Sequence, residues 1–156
     1  MKLNSHCGLV AACFAFLLLF NVPAVAQEDE GGPQTWGDDA RYISVTFVQF
    51  EPGKREEAME IINEYFKPAG AKAGTPPPML DVHFQTGVWD AMFVWNLDGG
   101  MADLEWYRSE NDIKWYAALA ELNGGPEGAE KILDRWRQTI RETDTQVGHY
   151  HAGEDD

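Results

Sequence analysis

Cysteine, histidine and basic side chains are all scarce in this chain of 156 residues. There are two cysteines, Cys7 and Cys13, four histidines, and 12 Lys and Arg against 26 Asp and Glu, for a formal net charge of −14. So acidic a surface repels phosphate backbones and anionic headgroups, which argues against nucleic-acid and membrane-surface binding. The apolar run from Leu9 to Phe20 is too short to cross a hydrocarbon core, which needs about 20 helical residues. It follows Lys2 and precedes Ala24-Val25-Ala26, the pattern of an export signal over residues 1–26, cleaved before Gln27. The expected product is exported, periplasmic or secreted, with no stable membrane insertion after cleavage. Both cysteines leave with the signal, so disulfides, thiol nucleophiles and thiolate metal sites are excluded from the remainder.

Residues 27–40 include QEDEGGPQTWGDD, acidic and without apolar periodicity, and read as a disordered leader. The domain is expected over 41–152, with an acidic tail at 153–156. Arg41 to Phe50, RYISVTFVQF, is β-branched and aromatic and predicts a first strand. After Pro52-Gly53, residues Ala58, Ile61, Ile62, Tyr65, Phe66 and Ala69 recur at helical spacing, and Pro76 to Pro78 end that helix. Two short apolar runs around Thr86-Gly87 predict an antiparallel hairpin. Helical pieces are expected over 102–108 and 112–122, the second capped by Ser109 with Asp112 three residues on. Pro126 opens another helix whose apolar face includes Ala129, Ile132, Leu133, Trp136 and Ile140. The last strand is expected to start at Asp144.

The resulting order, β-α-β-β-α(α)-β, is that of an α+β, ferredoxin-like split βαβ plait: a four-stranded antiparallel sheet with helices on one face. One face of the first strand carries Ile43, Val45 and Phe47. The other carries Tyr42, Ser44, Thr46, Val48 and Phe50, too apolar to leave wet, and a second copy of the chain is the expected cover.

The stretch VTFVQFEPGKREEAMEII (Val45 to Ile62), the hairpin WDAMFVWNLDGGMADLEWY (Trp89 to Tyr107) and the returning strand through Tyr150 resemble the dimeric α/β-barrel superfamily, over nearly the whole domain. The resemblance implies a homodimer whose two sheets pack into a barrel, with a cleft between each sheet and its helices. Relatives include antibiotic-biosynthesis and haem-degrading monooxygenases, isomerases, cyclases and stress-responsive proteins, so fold alone does not choose a reaction. The chain departs from the short monooxygenase pattern by an extra helical segment before the last strand. Haem-degrading relatives place a histidine after the third strand, and Met101 to Arg141 contains none.

Three constellations could carry function. Asp81 and His83 alternate on one strand face, where a carboxylate can orient an imidazole as a general base. If Val82 and Phe84 face the helices, the pair points into the barrel near Ser44, Thr46 and Asp90 or Asn96. Trp106, Tyr107 and Trp115 fall in the broken helical segment and could line a pocket for a flat, aromatic small molecule. His149 and His151 share a strand face and are the weaker alternative, a metal site needing a third ligand such as His83. The expected function is binding of a small aromatic molecule in the sheet-helix cleft, with cofactor-independent oxidation or isomerisation and no cofactor. Alternatives are a non-catalytic envelope or stress-response protein, and a metal- or haem-binding protein.

Overall fold

The computed structural model describes residues 34–153. The expected export signal and the first half of the acidic leader, like the end of the acidic tail, lie outside them. Four strands, β1 (Ala40–Phe50), β2 (Leu80–His83), β3 (Ala91–Asn96) and β4 (Ile140–His151), form one antiparallel sheet in the order β2-β3-β1-β4. Helices α1 (Arg55–Ile61), α2 (Lys67–Ala73), α3 (Glu110–Leu122) and α4 (Pro126–Thr139) complete an α+β, ferredoxin-like arrangement. As expected, β2 and β4 are the two edges.

Between α1 and α2 the chain takes one π-helical turn, Ile62–Phe66, where the N–H of Lys67 reaches the carbonyl of Ile62. Its cause stands just beyond it. Pro68 has no N–H to donate and its ring collides with the carbonyl one α-turn back, and the wider turn relieves that collision. Gly74, at φ 66°, ends α2 in the left-handed conformation that glycine adopts at little cost.

The segment expected as helix over 102–108 is instead a 3₁₀ helix, Gly100–Glu105, and its successor α3 is capped as its sequence implied. Ser109 Oγ accepts from the N–H of Asp112, and the Asp112 carboxylate accepts from the N–H of Ser109. Helix α4 ends at Thr139, and the last strand starts at Ile140, four residues before its expected start. Ile140 is paired with Phe50 at the start of β4, because adjacent β1 offers a ladder through to its end. The α3–α4 turn is tight enough that Gly128 admits no side chain: a Cβ there would overlap the Asn123 carbonyl oxygen.

Two clusters make the core. Between the helices lie Ile61, Ala69, Ala118, Leu119, Ala129 and Ile132, and between helices and sheet lie Val48, Phe50, Ala58 and Ala91. Trp136 touches both, edge-on to Phe66 at 5.3 Å and to Phe50 at 6.2 Å.

This packing corrects the assignment of faces. Val48 and Phe50 turn Tyr42, Ser44 and Thr46 toward the helix side, and the bare face is that of Ile43, Val45 and Phe47. Directly opposed residues share a face, so Val82, Met92 and Val94 join the bare face, while Asp81, His83, Phe93 and Trp95 lie on the helix side. The helices cover the face that stays apolar to the β1 terminus nearest to α1, where Val48 and Phe50 flank Gln49 of the other face.

Asp90 fastens the hairpin to this layer. Its Oδ2 accepts from the N–H of Phe50 at 2.9 Å and its Oδ1 lies 3.9 Å from Arg55, which donates to the carbonyl of Phe84. Asp90→Ala orphans a part-buried N–H and is expected to cost about 1–3 kcal/mol in urea unfolding. A change under about 0.5 kcal/mol would show that water replaces the carboxylate fully.

Candidate functional site

Helices α1 and α4 rest on the Val48–Phe50 end of the sheet through Ala58, Met59 and Trp136. Toward the other end the same face continues as a shelf: Ser44 and Thr46 from β1, Trp95 from β3, and Thr145 and Val147 from β4. Thr46 and Thr145 hydroxyls pair across the strands at 3.1 Å. Trp95 and Val147 are 41% and 43% exposed, so an indole and an isopropyl group face solvent beside hydroxyls. Such a surface offers stacking together with a few orienting polar groups, the usual composition of a small-molecule site.

At the β2 edge of this face Asp81 and His83 meet, with His83 Nε2 3.0 Å from Asp81 Oδ1. Alternation along the strand places both on one side, and the pairings Asp81 with Phe93 and His83 with Ala91 bring them level with Thr46 and Val48 of β1. When Nε2 donates its hydrogen to Asp81, Nδ1 keeps its lone pair and can accept a proton. The pair therefore shares a face with Ser44 and Thr46 as expected, but that face looks to the helix side. Its expected neighbours Asp90 and Asn96 do not join it: Asp90 holds the Phe50 amide, and Asn96 pairs with Ile43 on the bare face.

The three aromatic candidates separate. Trp115 packs into the helical core, edge-on to Phe66 at 5.2 Å, and donates Nε1–H to the Phe66 carbonyl at 3.2 Å. Trp106 and Tyr107 stand in solvent between the 3₁₀ helix and α3. Trp95 was the tryptophan that the sequence reading missed as a site residue. Strand alternation from the buried Ala91 was the signal that could have found it. A hollow at the start of α1, lined by Gly53, Arg55, Glu56 and Met59, is shallow and contains none of the candidates.

His149 and His151 do share the helix-side face, as their spacing required, with Tyr150 turned the other way. Their ring centroids are 5.2 Å apart at an interplanar angle of 85°. Two residues from the end of the leader join them: Trp36 stacks on His149 at 4.3 Å, and Asp39 Oδ2 lies 3.0 Å from His151 Nδ1. That hydrogen bond from His151 is the main reason the Asp39 carboxyl sits below its ordinary range. Tyr42 completes the group at 5.9 Å from His149. His83 is on the opposite edge strand and supplies no third ligand, and among the described residues no three His, Cys, Asp or Glu side chains converge on a metal position.

The architecture and the shelf define the class: an α+β protein with a four-stranded antiparallel sheet, helices on one face and an open, partly aromatic surface beside them. Solved structures of the same fold include a NIPSNAP family protein of unknown function from Agrobacterium tumefaciens, with TM-score 0.50 and 8% identity, covering 76% of this chain and 96% of that one. Another is an uncharacterised NIPSNAP-like domain protein from Burkholderia xenovorans, with TM-score 0.50 and 8% identity, covering 77% and 92%. At that identity the likeness is one of fold. No protein-family model and no curated protein matches the sequence.

Proposed function

We propose that this is an exported, homodimeric protein that binds a small, flat aromatic molecule on the helix-side shelf, with His83 as the proton acceptor of a cofactor-independent oxidation or isomerisation. The observation that carries the reading is the 3.0 Å contact between His83 and Asp81 on the face that also presents Trp95. Both reactions begin by removing a proton from an acidic C–H or O–H of the substrate, a step that a carboxylate-oriented imidazole suits; in isomerisation His83 returns the proton at another carbon, and in oxidation dissolved dioxygen is the oxidant that takes the substrate's electrons. Trp95 supplies a stacking surface, and the Thr46 and Thr145 hydroxyls can orient a phenolic or carbonyl oxygen. The export pattern at the amino terminus and the bare apolar face support the remaining two parts of the reading.

A second reading is favoured by exposure. The His83 side chain is 43% exposed, and a general base so open to water gains little from its surroundings. In this reading the protein binds its ligand, or associates, without turning anything over.

Titration with a panel of hydroxylated naphthalenes and quinones, followed by tryptophan fluorescence, tests the shelf. Saturable quenching is expected, weakened at least about tenfold in Trp95→Ala, the loss of a stacking contact of roughly 1–3 kcal/mol. Absence of saturable binding across the panel rejects the site. For a ligand that is turned over, His83→Gln should leave binding within about twofold and slow turnover about 10²–10⁴-fold. Binding without turnover in the unaltered protein selects the second reading.

A further inference from the structure

We propose that the end of β4 is a binding site for a late first-row divalent metal ion, Cu(II) foremost, chelated by His149 and His151 and oriented by Asp39. The inference is independent of the shelf and of His83, which lies at the other edge of the sheet.

Geometry supplies the chelate. The two imidazoles project from the same side of one strand with centroids 5.2 Å apart. Metal–nitrogen bonds of about 2.0–2.1 Å put an ion about 3 Å from each ring centre, so a single ion can touch a nitrogen of both rings at this separation. The strand backbone holds both side chains close together before any ion arrives.

Asp39 supplies the orientation. By accepting the Nδ1 hydrogen of His151 at 3.0 Å, it fixes the tautomer whose free lone pair is on Nε2. This is the carboxylate–histidine pairing that accompanies ligating imidazoles. The backbone reinforces it, since the N–H of Ala152 donates to the Asp39 carbonyl at 3.1 Å.

Chemistry selects the ion. Two neutral imidazoles are borderline ligands, so Ca(II) and Mg(II) are disfavoured and affinity should rise toward Cu(II) along the divalent series. The net charge of −14 draws cations to the surface. Water or a small anion fills the remaining positions, because no third ligating side chain converges among the described residues. The ion is therefore exchangeable and plays no part in folding.

Trp36, stacked at 4.3 Å on His149, is a built-in reporter, because Cu(II) bound within a few ångströms quenches indole emission. Titration of the full chain with Cu(II) should quench saturably at one ion per chain, and Trp36→Phe should remove that component. His149→Ala and His151→Ala should each weaken apparent affinity at least about tenfold, and Asp39→Asn about tenfold or more, within the range for the outer partner of a ligand. His83→Ala should change nothing. Asp39 and His151 are exposed and His149 is half-buried, and unchanged circular dichroism would exclude loss of the fold. Wild-type affinity and Trp36 quenching in the His149→Ala, His151→Ala double variant would overturn the proposal, placing the ion elsewhere. Failure of the unaltered chain to show saturable Trp36 quenching would overturn it equally.

Discussion

Trp136→Ala is expected to destabilise the protein by about 3–5 kcal/mol, the range for removing a large aromatic side chain from a core. Among the described residues Trp136 packs against both clusters, so its loss leaves a void shared by the helix–helix layer and the helix–sheet layer. It also ends two edge-on aromatic contacts, with Phe50 and Phe66, each worth about 0.5–1.5 kcal/mol beyond area. A domain of this size has only about 5–15 kcal/mol in hand, so the fraction unfolded should rise by orders of magnitude. The natural control is Trp106→Ala. Trp106 is 67% exposed, and its removal should stay within about 0.5 kcal/mol. Urea denaturation with circular dichroism distinguishes the two. Equal midpoints for the two variants would show that the clusters are joined by something other than this indole.

The contrast between these tryptophans also marks where sequence reasoning succeeded and where it stopped. Helical periodicity put Trp136 on the apolar face of α4, and the structure keeps it there. Trp106 and Trp115 were grouped only by proximity in a broken helical stretch, and nothing in that stretch said that Trp115 would fall on the face packed against Phe66 while Trp106 would not. The capping box at Ser109 was legible because both partners lie within four residues. The π-turn before Pro68 was not, since a proline in a helical pattern can also kink or end the helix.

The orientation of the sheet was the least legible feature. Both faces of β1 are apolar enough to be buried, so alternation identified the two sets without saying which one the helices take. That choice depends on packing between α1, α4 and the far end of β1, contacts distant in sequence. The error moved Asp81 and His83 from one side of the sheet to the other, while their mutual contact, set by strand alternation alone, was foreseen. Trp36 and Asp39 were read as part of a featureless leader, and their meeting with the β4 histidines joins residues more than a hundred positions apart.

Leu80→Asp and Val45→Asp are each expected to convert a dimer into a monomer at micromolar concentration. The bare face presents Ile43, Val45, Phe47, Leu80, Val82 and Met92 without helix cover, and Tyr150 extends from the β4 side to bring its hydroxyl 4.0 Å from the Met79 sulfur. A contiguous apolar surface of this kind on a strongly charged chain is a cost unless it is covered, and a second copy covers it with the same chemistry. A stable pair requires about 1,200–2,000 Å² of total burial. Across a two-fold axis one substitution introduces two carboxylates into the interface, each desolvated and without a partner, and the penalty of several kcal/mol exceeds what the remaining contacts return. Leu80 is 47% exposed, so its replacement should leave the monomer folded, whereas Val45 lies nearer the centre of the face. Light scattering should give twice the chain mass for the unaltered protein and the single-chain mass for both variants, with circular dichroism unchanged. A monomeric unaltered protein would reject the dimer, and variants that remain dimeric would place its interface elsewhere, with the long exposed edge of β4 as the next surface to substitute.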